Sequence, residues 1–247
     1  MRAFLLTVLI LGAEPALAQE KLAGTNIDVR TVLDFKVSDA AVQKLLPPGW
    51  EVDPATIGPS AGANLRVAFV DNLATYDALG KPTPPIRNLI FGIPVKKVGI
   101  PGALMLFAIL SPGDGGSYGV SMKSTNVVER KIRHEPGGPT TVEESWEFKA
   151  ENGHVASLQV HYVRGVATRS KSEIRNYSQS KPEYFRIYRS DQGVDIVRGT
   201  DSGTERLKKY TFKASGEKLS PLFDGTEQLV SLTSLPWYQR EIYMAGP

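Results

Sequence analysis

The sequence predicts a single mostly-β domain, a curved antiparallel sheet or β-barrel carrying one or two short helices. Three observations point there. Apolar and polar residues alternate over long stretches, as in "NIDVRTVLDFKV" at 26–37, which is the period of a strand with one buried face. Hairpin signals recur, the clearest being Asn152-Gly153 between two alternating runs. Only residues 38–46 carry a helical pattern with both a start and a stop signal. No stretch is long enough to serve as a linker, and no repeat of solenoid or propeller length occurs.

The elements follow in order. After the strand at 26–37, Ser38 and Asp39 cap a short helix, "SDAAVQKLL", with Ala41, Val42, Leu45 and Leu46 on one face. Pro47-Pro48-Gly49 stops it, because proline cannot continue the hydrogen-bond ladder. Leu65 to Val70 reads as a buried strand within 63–77, and 80–87, "GKPTPPIR", as a rigid connection. "NLIFGIPVKK" (88–97) and "GALMLFAIL" (102–110) are strands by length, each bounded by Gly or Pro. "SPGDGGSYG" (111–119) is a glycine-rich turn; it lacks the Gly-Lys-Ser/Thr ending of a phosphate loop. Residues 140–165 form a hairpin about "AENGH", and 183–199 a second one turning at Asp191-Gln192-Gly193. "RLKKYTFKASGEKLSPLF" and "QLVSLTSLPWYQREIYM" complete the sheet, the aromatic tail sealing the core.

Composition narrows the compartment and the chemistry. Arg2, the apolar run Ala3 to Ala13 and Ala16-Leu17-Ala18 have the form of a secretory signal, so residues 1–18 are expected to be a signal peptide and 19–247 the mature β domain. The expected location is periplasmic or extracellular, with no membrane insertion after cleavage. The chain has no cysteine, which excludes disulfides, thiolate metal sites, a lipid-anchored cysteine and a cysteine nucleophile. A net charge of +3 and a pI near 9.0 are dispersed along the chain, without a nucleic-acid-binding motif. A small-molecule ligand is the expected partner, and a homo-oligomer is compatible with the pattern.

Candidate catalytic groups are few. His134, His154 and His161 have no metal-ligand spacing, so neither a metal nor another cofactor is expected. His154, in a hairpin turn, should be exposed, whereas His161 alternates along a strand and is a candidate cavity residue. No Gly-x-Ser-x-Gly elbow occurs. Glu143 and Glu144 point to opposite faces of a strand and cannot share a proton; they read as a solvated pair, one of which can face inward beside Trp146. Lys96-Lys97 is the remaining possibility. Two adjacent amines in an apolar pocket each penalise the other's charge, and a neutral lysine attacks ketones to form a Schiff base. The plain alternative is a strand end reaching solvent.

The order of features resembles the acetoacetate decarboxylase-like superfamily. The residues that carry this are "LLPPGWEVDP" (45–54), the strand-plus-Asp segment "LRVAFVDN" (65–72) and "FGIPVKK" (91–97), which holds Gly92 and Pro94. The resemblance covers roughly residues 28–110. It implies a double-barrel-like β fold, with Lys96 as the Schiff-base lysine and Lys97 as the charge that depresses its pKa. Three departures stand beside it. Val95 separates the proline from the lysines, and only Asp71 and Asp77 are acidic between Asp53 and Lys96, where the family has pocket glutamates. The leader is the third. The expected function is therefore an exported small-molecule binding protein of this fold. Its pocket would suit an anionic or carbonyl ligand, with Arg66 and His161 as ligand-binding residues and Lys96 or Lys97 pairing an anion. The alternative is a Schiff-base decarboxylase or lyase acting on a β-keto acid through catalytic Lys96 and Lys97.

Overall fold

A computed structural model describes residues 20–113 and 116–244. The predicted signal peptide and part of the glycine-rich turn lie outside the described residues.

The chain runs through β1 (Lys21–Lys36), α1 (Asp39–Gln43), β2 (Glu51–Val52), β3 (Leu65–Asp77), β4 (Pro82–Thr83), β5 (Arg87–Lys97) and β6 (Ile100–Ser111). It continues through β7 (Ser121–His134), β8 (Thr140–Ala150), β9 (Val155–Val163), β10 (Thr168–Ser178) and β11 (Phe185–Gly199). Last come β12 (Thr204–Glu205), β13 (Leu207–Ser215) and β14 (Gln228–Met244). The helix is shorter than its pattern predicts. The Ser38 hydroxyl accepts from the Ala41 amide, and the helix buries Val42.

Hydrogen bonding links β6, β10, β11, β14, β1, β3 and β5 in that order, and β5 pairs back to β6. The result is a closed ring, which leaves no free edge among its strands. From β6 a second sheet extends in the order β7, β8, β9, β13. The sheet is mixed rather than purely antiparallel: β6 runs parallel to β10 and, over three residues, parallel to β7.

Alternation along the ring strands sorts side chains into two sets. Leu33 and Phe35 of β1, Val67 and Phe69 of β3 and Phe91 and Ile93 of β5 face outward, where the second sheet covers them with Trp146, Phe148, Leu158 and Phe212. These aromatic rings meet in tilted and edge-on pairs, such as Phe69 against Trp146 at 5.4 Å, and this layer holds the largest buried cluster. The other set, including Val32, Ala68, Val70 and Leu235, turns into the ring.

Two predicted features are corrected. The segment 183–199 is not a hairpin: β11 runs unbroken through Asp191-Gln192-Gly193, paired to β10 on one side and to β14 on the other. Gly193 serves a close approach instead of a turn, since a Cβ there would lie 2.5 Å from the Trp237 indole nitrogen. His154 is not exposed either; it retains 3% of its accessible surface. The 216–220 turn closes over it, and the Lys218 amide donates to its Nε2 at 3.3 Å.

Candidate functional site

A cavity of about 390 Å³ opens inside the ring, and all seven ring strands contribute to its wall. Its lining combines apolar surface from Val32, Ala68, Ile90 and Leu235 with three guanidinium groups, those of Arg30, Arg66 and Arg240. Cavities of this kind, mostly apolar with a few convergent polar groups, are the usual form of small-molecule sites.

Each arginine is placed by the strand period. Asp28, Arg30, Val32 and Asp34 alternate along β1 and so share one face. Arg30 packs flat on the Tyr238 ring at 3.6 Å and donates to Asp28 from Nε at 3.1 Å. Asn72 also donates to Asp28. Arg66 makes a two-pronged contact with Asp34, at 2.7 and 3.1 Å, and the Ser231 hydroxyl donates to the same carboxylate at 3.0 Å. Arg240 lies 4.7 Å from the centre of the Tyr188 ring and donates from Nε to the Asn26 side-chain oxygen at 2.6 Å. Tyr188 is in turn held by the Tyr118 hydroxyl at 2.9 Å.

The charges do not cancel. Asp28 is matched to Arg30 and Asp34 to Arg66, while Glu173 at the rim is engaged by Arg189 at 2.8 Å. Arg240 forms no ion pair among the described residues. Burial, and after it the neighbouring Arg240 charge, lowers the Arg30 pKa. Burial also opposes the charge of Arg240, but Asp28 and the surrounding tyrosines outweigh it and hold its pKa above the ordinary value. Asp34 does the same for Arg66. A chamber of mixed lining that keeps surplus positive charge is arranged to receive an anion.

A second cavity of about 410 Å³ adjoins the first and shares Arg66, Gly102, Leu104 and Ile174 with it. Residues 53–56, which follow β2, form its outer wall. It is the vestibule of the ring.

Two solved structures superpose on nearly the whole chain. An acetoacetate decarboxylase-like enzyme from Sphingomonas wittichii RW1 aligns with a TM-score of 0.56 and 11% identity, covering 99% of this chain and 99% of that one. The enduracididine biosynthesis enzyme MppR, complexed with the condensation product of pyruvate and imidazole 4-carboxaldehyde, aligns with a TM-score of 0.54 and 9% identity, over 92% of this chain and 88% of that one. The fold is acetoacetate decarboxylase-like. No protein-family model and no curated protein matches the sequence.

Within this acetoacetate decarboxylase-like ring the predicted residues take different places. Arg66 lines the cavity and its vestibule. Lys96 and Lys97 line neither. Val95 occupies the buried core position, so Lys96 falls on the ring-facing side of β5, but beyond the stretch of β5 that pairs with β3. Its amine sits 3.6 Å from Asp53 with half of the side chain exposed. Lys97 points the other way, 3.7 Å from Glu183 and 5.5 Å from the Trp50 ring centre. His161 lies half-buried in a groove on the second sheet, directly across from Glu143 and away from the ring.

Glu144 differs from the solvated pair that the sequence suggests. It is buried between the layers, accepting from Thr31 at 2.7 Å, Trp146 at 2.9 Å and Arg130 at 3.2 Å. It ties the second sheet to β1. The groups that sequence reasoning missed are Arg30, Arg240, Tyr188 and Tyr238. The signal available was charge at alternate positions of "DVRTVLD" and Tyr238 two residues from Arg240 in "WYQRE", and it has the same form on a solvated face. Among the described residues no group of three His, Asp or Glu side chains is placed to hold a metal ion.

Proposed function

We propose that this protein is an exported small-molecule binding protein whose ring cavity takes an anionic ligand, a carboxylate in the first place, with Arg30 and Arg240 as its anchors and Arg66 at the cavity's outer end. The observation that carries the reading is the pair Arg30 and Arg240, which line one cavity and, among the described residues, have Asp28 as their single ion-pair partner. A ligand carboxylate would complete the neutralisation. It would gain charge-assisted hydrogen bonds in a site largely screened from water.

The Schiff-base alternative has less behind it, because the amines of Lys96 and Lys97 lie outside the cavity and both have carboxylate partners. Binding with no covalent step needs nothing beyond the groups already in the ring.

Calorimetric titration with a panel of carboxylates and their uncharged amides tests the assignment. At least one carboxylate should bind, and its amide should bind more weakly. Arg240→Gln should weaken the carboxylate by about tenfold or more while leaving the amide unchanged, in keeping with the strength of charged hydrogen bonds. Equal affinity of Arg240→Gln and the parent protein for the same carboxylate would refute the anchor role. Export rests on the leader-like residues 1–18. The exported fraction of an expressing bacterium should contain a chain beginning at Gln19, and an intact Met1 chain confined to the cytoplasm would count against it.

A further inference from the structure

We propose that the ligand is an elongated amphipathic acid, with its carboxylate inside the ring and an apolar body running out through the vestibule. This rests on the anion reading above and says what else the ligand must be.

Three observations support the elongated form. Ring cavity and vestibule share the wall residues Arg66, Gly102, Leu104 and Ile174, and each encloses about 400 Å³, as the volumes of 390 and 410 Å³ show. A short keto acid would leave most of that joint space to water, whereas space of this size suits a drug-sized molecule. The two halves also differ in charge. The ring holds the surplus cation, Arg240, whereas the vestibule's charges are matched: Asp34 by Arg66 and Asp53 by Lys96. A second carboxylate placed in the vestibule would meet Asp34 and Asp53 and find no free cation among the described residues that line it. That disfavours a dicarboxylate. Finally, the vestibule wall between the two aspartates is apolar, built by Pro54, Ala63, Leu65, Pro94, Leu104 and Ile174. Such a wall favours methylene or aryl groups, with Thr56 and Ser60 the uncharged polar side chains among the described residues lining it.

Saturated monocarboxylates from butanoate to dodecanoate, titrated below their micelle concentrations into the mature chain, provide the test. Affinity should climb by about fourfold for each methylene that enters the vestibule, the gain expected for burying such a group. Dodecanol should bind more weakly than dodecanoate. Ala55→Trp, on the exposed loop that walls the vestibule, should cost dodecanoate roughly tenfold, a little under two methylenes' worth of burial, while butanoate changes little. Thr56→Trp on the same loop is the second variant, should the first fold poorly. Acids that bind with the same affinity at every chain length would overturn the elongated form and leave the anion site standing. If no acid of any length binds, the anion reading falls and takes this inference with it.

Discussion

His154 shows how one side chain can acquire a pH dependence that its sequence position hides. Burial, and then the nearby Lys218 ammonium, disfavour its protonated form, so its pKa in the folded protein lies below the ordinary 6.5. The unfolded chain then binds a proton that the folded one refuses. The resulting stabilisation is complete above about pH 6.5 and is lost as the pH falls from there toward the lower folded value. Urea unfolding at about pH 7.5, 6.5 and 5.5 should show the parent losing stability at the acid end, and His154→Gln losing less of it. Parallel losses in the two proteins would assign the effect elsewhere. Glu144 makes the opposite point. Its burial is tolerated because four donors, from Thr31, Trp146, Arg130 and Tyr162, satisfy the carboxylate, and an unsatisfied charge at that depth would be costly.

Among the strands, β11 is the element whose course is least visible in advance. Asp191-Gln192-Gly193 has the composition of a turn, yet β10 continues its ladder past it without a break, and β14 resumes pairing after a register shift between Gln192 and Asp195. Pairing along the rest of the strand outweighs the local turn preference. The glycine is needed for contact, and contacts of this kind differ in how easily they yield. Gly193→Ala presses on the Trp237 indole, which is 39% exposed and free to swing outward. Gly24→Ala, at the bulge in β1, would set a Cβ 2.5 Å from the Tyr76 carbonyl oxygen, backbone that cannot retreat without opening the β1–β3 ladder. Chemical denaturation should show Gly24→Ala destabilised by about 2 kcal/mol and Gly193→Ala by less than half as much. The reverse order would mean that the two close approaches have been read wrongly. β7 and β10 are hard to read from sequence for a related reason. "TRSKSEIRNYS" carries charges at four of its eleven positions and "SMKSTNVVERKIRH" at five of fourteen, and these strands lean on the hydrogen bonds of their neighbours more than on a continuous apolar face of their own.

For the molecule as a whole, the decisive event is the return of β5 to β6 and the parallel joining of β6 to β10, which turn an open sheet into a ring. The mostly-β class, the strands β1, β3, β5, β6, β8, β9 and β14 and the capped helix were all legible from period, caps and composition. Alternation in "DVRTVLD" also states which residues share a face. It cannot state what that face looks upon. A charged face on an open sheet meets water and means little, while the same face inside a closed ring becomes a lined chamber. Arg30 and Arg240 are 210 positions apart, and they share a cavity because β1 and β14 pair over nearly their full length while the remaining strands close around them. Local sequence thus settled what each strand is and which way its side chains alternate. Only the tertiary arrangement decided that three arginines converge inside and that two neighbouring lysines end outside, because inside and outside are properties of ring closure, and closure depends on contacts that no local window of residues contains.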